Sequence, residues 1–230
     1  MILSHAYRFI FLKTNKTAGT SIEIALSEFC EETDIITPIT PEDEEVRRSL
    51  GFRGPQNYRI PLLRYQLRDW MRLFLRGQRT AFFNHMAAVD VKRLVGEQVW
   101  SSYYKFCFER NPWDRVISLY YWRCRNKDPM PSISEFINSG ALEVLKKRGL
   151  ELYTINREVA VDRVCLFEKL ADELEQVRTR VGLPTNLSLP KVKGTYRKDK
   201  QHYRDLLSPE DEATIAKLFE REIALFGYEY

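Results

Sequence analysis

Six consecutive residues, Lys16-Thr17-Ala18-Gly19-Thr20-Ser21, combine a cation, three hydroxyls and a glycine just after a short apolar run, Phe9 to Leu12. A strand that gives way to small residues and then to a helix makes an anion site for two reasons. The N–H groups of the first helical turn point at the ligand, and the helix dipole adds partial positive charge there. Gly19 permits close backbone approach, Thr20 and Ser21 add hydroxyl donors, and Lys16 adds a full charge. A capped turn beside a solvated lysine uses the same residue types, so this cluster alone does not decide. The order does exclude one chemistry. The nucleotide-triphosphatase loop G-x-x-x-x-G-K-[ST] puts its lysine after the glycines. Here Lys16 precedes Gly19 and no glycine stands upstream, so an ATP- or GTP-dependent kinase is disfavoured.

A second cluster lies in "FCFERNPWDRVISLYYW", residues 106–122. Arg110 ends a strand-like run and offers a planar, permanently charged fork suited to phosphate oxygens. Ser118 falls about two turns into the helix that follows. The plain alternative is a surface ion pair and a helix-face hydroxyl. The chain has three histidines, His5, His85 and His202. An imidazole is the natural general base near neutral pH, and only His85 lies between the two clusters.

Elements must bring these residues together. Residues 7–13 read as a buried strand, and Ile22, Ala25, Leu26 and Phe29 recur at helical spacing over 19–30. Residues 31–58 carry three prolines and two glycines, which predicts mostly loop. Helices are expected over 61–76 and 86–96, and a second strand over 103–109. Asn111 as cap, Pro112 in the first turn and Asp114 three residues after the cap predict a helix to about Arg125. Ser132 with Glu135 predicts another capped helix, and 162–167 a third strand. A helix with Leu170, Leu174, Val177 and Val181 on one face stops at Gly182, and a last one runs from Ser208-Pro209 to about Gly227. Alternating strands and helices imply an α/β fold, a single domain with a mostly parallel sheet flanked by helices. At 230 residues one such domain fills the chain, 1–230.

The two clusters together resemble the sulfotransferases that use 3′-phosphoadenosine 5′-phosphosulfate (PAPS). "FLKTNKTAGTS" looks like the 5′-phosphosulfate loop of the carbohydrate-type branch, "F-x-x-x-P-K-T-A-G-T-S", and 106–122 resembles its 3′-phosphate segment. The stretches "VCLFEKLADELEQVRTRVGLP" and "HYRDLLSPEDEATIAKLFEREIALFGYEY" resemble the family's later parts, and 31–79 is the least matched, a variable insertion on the acceptor side. The resemblance implies a P-loop-like fold and sulfuryl transfer from PAPS to a hydroxyl, with a carbohydrate or glycoconjugate as acceptor. It places Lys16, Thr17, Ala18, Gly19, Thr20 and Ser21 on the 5′-phosphosulfate, and Arg110 and Ser118 on the 3′-phosphate. It makes His85 the base and Lys16 the group at the leaving phosphate, with no metal. Tyr196 and Arg197, beside Lys193, become candidates to cover the nucleotide. Two departures matter: Asn15 stands where the pattern has proline, predicting a looser loop, and Glu109 stands beside Arg110 where an apolar residue is usual.

Composition narrows the setting. Apolar content of 44% and charged content of 30% are those of an ordinary globular protein, and no apolar run approaches the roughly 20 residues that span a bilayer. The N-terminus lacks a signal peptide's plan, so a cytoplasmic place is expected, peripheral to a membrane at most. Four scattered cysteines without a C-x-x-C pair suit reduced thiols. Charge is uneven: 31–45 hold seven acids and no base, whereas 47–79 hold nine arginines and one acid. Arg64, Arg68, Arg72 and Arg76 recur every four residues and repel one another. Either the acidic run folds over them, or they meet an anionic acceptor or an anionic membrane face bearing a lipid-linked one. A nucleic-acid binder built on 47–79 is the non-enzymatic alternative; the sulfotransferase reading expects no nucleic-acid partner.

Overall fold

The computed structural model describes residues 1–190 and 201–230. Its first apolar stretch is folded on itself: β1 (Ile2–Ser4) pairs antiparallel with β2 (Phe9–Phe11), where the sequence predicted one strand over 7–13. The turn His5–Arg8 contains no glycine, proline or asparagine, so nothing local announces it. It is closed from a distance. The Asp34 carboxylate accepts from the backbone N–H groups of His5 (2.6 Å) and Ala6 (3.3 Å) and from the Ser4 hydroxyl (3.0 Å).

The remaining strands are β3 (Ile35–Ile36), β4 (Tyr104–Glu109), a separate hairpin of β5 (Thr154–Ile155) and β6 (Glu158–Val159), and β7 (Arg163–Leu166). The main sheet has the order β3-β1-β2-β4-β7. Strands β2, β4 and β7 pair in parallel, while β1 is antiparallel to both its neighbours. Four of the five strands therefore point one way, as the alternating pattern predicted.

Helices follow in chain order: α1 (Gly19–Ser27), α2 (Pro41–Ser49), α3 (Leu67–Arg76), α4 (Ala88–Val95), α5 (Glu97–Ser102) and α6 (Pro112–Cys124). Then come α7 (Ile133–Asn138), α8 (Glu143–Lys147), α9 (Leu150–Tyr153), α10 (Leu170–Val181), α11 (Tyr203–Leu206), α12 (Pro209–Leu218) and α13 (Glu220–Phe226). Strand alternation sends Phe9, Phe11, Phe106 and Phe108 to one face, against Ile22 and Leu26 of α1 and Leu174 and Val177 of α10. Leu3, Ile10 and Cys107 go to the other face, against Val91 of α4, Trp100 of α5 and Leu152 of α9. Both faces are covered, which is why these strands read as continuous apolar runs. A third cluster packs Trp113, Ile117 and Tyr120 of α6 against Phe136, Ile215 and Phe219.

Two expectations for 31–58 need correction. The segment holds β3 and α2 as well as loop, and α2 carries a clear start signal: the Thr40 side chain accepts from the Asp43 N–H, with Pro41 in the first turn. The acidic run does not cover the arginine stripe. Asp34 closes the first turn, and Glu44 and Glu45 pair with Arg47 and Arg48. Among the described residues, no ion pair reaches Arg64, Arg68, Arg72 or Arg76. The cysteines are all free and buried.

The chain leaves β2 towards β3 on one side and returns at β4 on the other. Loops after β2 and β4 thus diverge at the carboxyl ends of neighbouring parallel strands, where open α/β sheets bind ligands.

Phe106 is fully buried, with ring centroids of Phe11 at 5.3 Å and Tyr104 at 6.1 Å. Phe106→Ala should cost about 3–5 kcal/mol. At about 2–4 °C per kcal/mol, calorimetry should show a fall of roughly 6–20 °C in Tm. Phe74 on α3 is 78% exposed, and Phe74→Ser should stay within about 0.5 kcal/mol of the parent. Similar losses from both would mean that α3 packs against the core.

Candidate active site

The loop after β2 is wrapped over a buried lysine. Lys13 Nζ lies 2.8 Å from Glu23 Oε2, and neither side chain reaches solvent appreciably. Glu23 also accepts from the Thr37 hydroxyl (3.1 Å) and meets the Met1 nitrogen at 2.9 Å. Burial pushes the Glu23 carboxyl up, but Lys13 and the Met1 nitrogen outweigh it and hold the pKa down at about 2. A Cβ at Gly19 would fall 2.8 Å from Lys13 Cγ. The close approach that Gly19 permits is therefore to the stem of Lys13.

Above this pair the backbone takes left-handed conformations at Lys16 (φ 67°) and Ala18 (φ 57°). No side chain caps the N-terminus of α1, which leaves its first-turn N–H groups and dipole for an anion. Thr17 is buried, its hydroxyl 2.8 Å from that of Thr14, which in turn donates to the Phe108 carbonyl of β4. Thr17 thus pins the loop to the sheet, while Thr20 is half-buried and Ser21 buried at the helix start.

The end of β4 answers the concern over Glu109. Alternation turns this side chain inward, fully buried, where Arg115 Nη1 lies at 2.5 Å and the Tyr153 hydroxyl donates at 2.9 Å. Arg115 also donates from Nε to the Asn15 carbonyl (2.8 Å) and from Nη2 to the Arg148 carbonyl (3.1 Å). Asn15 itself donates its N–H to Arg148 at 2.9 Å. A proline has no such N–H. Asn15 fastens the loop here rather than loosening it.

Arg110 joins the two motifs. Its Nε and Nη2 grip Asp114 at 2.8 and 2.6 Å, its Nη1 donates to the Lys16 carbonyl at 3.1 Å, and its guanidinium lies 4.1 Å from the Phe167 ring centroid. Asp114 was expected to complete the cap of α6. Asn111 does cap, accepting from Trp113 and Asp114, but its own N–H goes to Glu168 at 2.6 Å, leaving the Asp114 carboxylate to orient Arg110. On α6, Asp114, Ser118 and Trp122 follow at four-residue intervals and are half-exposed on a helix otherwise largely buried. The Lys16 ammonium sits 5.5 Å from the Trp122 ring centroid. Ser118 therefore stands on one stripe between the residue that holds Arg110 and the ring that holds Lys16.

His85 precedes α4 with φ 56°. Its Nδ1 is 2.7 Å from the Lys13 carbonyl. A carbonyl only accepts, so Nδ1 carries the proton and Nε2 keeps its lone pair. Burial, with the Lys13 charge added, pushes its pKa down to about 3. Asn84 steadies the approach, accepting from Thr37 (3.3 Å) and donating to the Pro38 carbonyl (2.7 Å).

The structure thus joins Lys16 to Arg110 and to the helix face that carries Ser118, and it hangs His85 on the Lys13 carbonyl of the same loop. His5 bonds Tyr103 at the amino-terminal edge of the parallel strands, and His202 caps α11. Tyr196 and Arg197, with Lys193, lie outside the described residues. Lys13, Glu23 and Arg115 were given no role by sequence. The available signal was a charge inside an apolar pattern: Lys13 ends "FIFLK", and Arg115 falls on the buried face of α6.

Arg115→Met would strand the Glu109 carboxylate in the interior and should cost about 3–5 kcal/mol in urea unfolding, with Glu109→Leu added recovering most of it. Asn15→Pro, although it restores the pattern's residue, should lose roughly 1 kcal/mol through the missing donor. His85 supplies a pH signature. The unfolded chain takes up a proton near 6.5 and the native one only near 3, so stability should fall as pH drops through that window. The fall should be shallower in His85→Gln.

Two comparisons place these features. A model of the sulfotransferase family matches residues 1–153 of the 230. An uncharacterized protein of Archaeoglobus fulgidus is 32% identical over 108 residues, 45% of this chain and 88% of that protein. The family match holds both anion motifs and His85, and it ends at Tyr153, whose hydroxyl closes over Glu109. The chain belongs to the sulfotransferase family.

Proposed function

We propose that the protein transfers the sulfuryl group of PAPS to an acceptor hydroxyl, with the whole chain acting as one domain. The observation that carries this reading is the junction of the two motifs: Arg110 rests on the Lys16 carbonyl, and the Lys16 ammonium lies over Trp122, one helical turn beyond Ser118. The 5′ and 3′ anionic groups of a single nucleotide then have adjacent seats. The uncapped start of α1, with Thr20 and Ser21, receives the 5′ group, while Thr17, Ala18 and Gly19 set the loop's shape. Arg110 and Ser118 receive the 3′-phosphate. Tyr196 and Arg197 remain candidates to cover the nucleotide.

In-line transfer needs charge neutralised at the departing phosphate oxygen and a proton removed from the attacking hydroxyl. Lys16 supplies the first, an electrostatic contribution typically the largest in such reactions. His85 supplies the second through Nε2. Its low pKa comes first from burial, with the charges of Lys13 and Arg148 adding to it. The donor's phosphates oppose those charges and raise the pKa towards the working range. The acceptor we favour is a carbohydrate or glycoconjugate, approached from the α3–α4 side where His85 lies.

Adenosine 3′,5′-bisphosphate at a hundredfold excess over its Kd should stabilise the fold by roughly 2.7 kcal/mol, raising Tm by about 5–10 °C. Adenosine 5′-phosphate should do much less. Ser118→Ala should narrow that difference without disturbing the 5′ seat; an unchanged difference would remove Ser118 from the site. His85→Ala should keep nucleotide binding and lose roughly 10²–10⁴-fold in turnover, measured as labelled sulfate moved from PAPS to a glycan panel. Lys16→Ala should weaken both. Full turnover in His85→Ala would put the base elsewhere.

A further inference from the structure

Helix α3 is mounted with its polar side inward. Asp69 is buried, accepting from the Thr80 hydroxyl (2.9 Å) and the Gln66 N–H (3.1 Å) and pairing with Arg93 (3.4 Å). The Tyr65 hydroxyl, just before the helix, accepts from the Thr80 N–H at 2.8 Å. These bonds hold α3 to the body by its one carboxylate. Its apolar residues face away: Leu67 is 78% exposed, Phe74 78% and Leu75 77%. At 100° per residue, Leu67, Trp70, Met71, Phe74 and Leu75 share one arc, and Arg68, Arg72 and Arg76 fill the arc beside it. Trp70 stacks on Phe74 at 5.7 Å and meets Tyr65 edge-on at 5.4 Å, an aromatic group at the edge of the apolar arc away from the arginines.

We propose that α3 docks the protein on an anionic lipid bilayer, with Leu67, Phe74 and Leu75 entering the acyl boundary and Arg68, Arg72 and Arg76 at the lipid phosphates. An apolar arc bordered by arginines with an interfacial tryptophan is what such a surface binds, and the arginines have no ion-pair partner among the described residues to satisfy first. Other occupants fit less well. Two copies meeting through this face would bring their arginine rows together. A nucleic acid would use the arginines and leave the apolar arc in water. The basic arc also lines a cleft of about 440 Å³ between α3 and α4 that reaches Met86, the neighbour of His85. Docking would therefore present the acceptor side to the bilayer, a consequence that rests on the function proposed above, whereas docking itself does not.

Co-sedimentation with phosphatidylcholine vesicles, with and without phosphatidylserine, separates the two claims because it reads no sulfotransfer. The protein should bind the phosphatidylserine vesicles, less as salt rises, with a blue shift of tryptophan emission that Trp70→Phe diminishes. Leu67→Ser with Phe74→Ser should cut binding roughly tenfold or more on these vesicles. Arg68→Glu with Arg72→Glu should remove the phosphatidylserine preference, again roughly tenfold or more. Both pairs lie on exposed positions, and unchanged Tm would verify their folding. Absence of vesicle binding by the parent protein, or binding indifferent to both pairs, would overturn the proposal. So would a concentration-dependent dimer abolished by the serine pair without vesicle binding, which would assign the face to a second copy.

Discussion

One guanidinium ties the loop after β2 to the end of β4. Arg115 closes on the Glu109 carboxylate at the end of β4 and on the carbonyls of Asn15 and Arg148, three segments distant in sequence. The arrangement uses the fork's planarity, since each nitrogen meets a different chain segment and a lysine has no such geometry. Its energetic character is that of a buried pair, costly to desolvate and costlier to break. What it contributes is position. With Arg115 fixed, Asn15 and therefore Lys16 are set relative to β4, and Arg110, one residue beyond Glu109, meets the Lys16 carbonyl.

A second buried pair sets the other wall. Lys13 is drawn beneath α1 by Glu23, Gly19 lies across its stem, and the Lys13 carbonyl fixes the tautomer of His85. Among the described residues seven non-glycine positions have positive φ, and Lys16, Ala18 and His85 are three of them. Such conformations cost of order 1 kcal/mol or more each and persist where the surroundings over-determine them. Here the surroundings are identifiable: Arg110 on the Lys16 carbonyl, Lys13 on His85, and Asn84 between Thr37 and Pro38.

Legibility in the sequence followed how local the cause was. Helix α1, strand β4 and the capped start of α6 were readable because period, cap residue and proline lie within a few positions of one another. The first hairpin was not, because Asp34 closes its turn from 29 residues away. Helix α2 lies in a stretch whose prolines and glycines mark it as mostly loop, although Thr40-Pro41 is a start signal. The family was legible in the types and order of residues in the two motifs. Arg115 and Glu109 were not, because a buried pair shows in sequence only as two misplaced charges.

The loop's two lysines show how position divides two cations of the same type. Lys13 and Lys16 are three residues apart and chemically identical. Lys13 is committed to Glu23 in the interior, where its charge serves to hold backbone and would cost the fold dearly if unpaired. Lys16 is held at a half-exposed position above an indole face, a contact that orients an ammonium. A difference of burial divides Arg115, paired with Glu109 in the interior, from Arg110, paired with the half-exposed Asp114. Charge paired in the interior builds the walls, and charge held nearer the surface is what the phosphates of the proposed donor would meet.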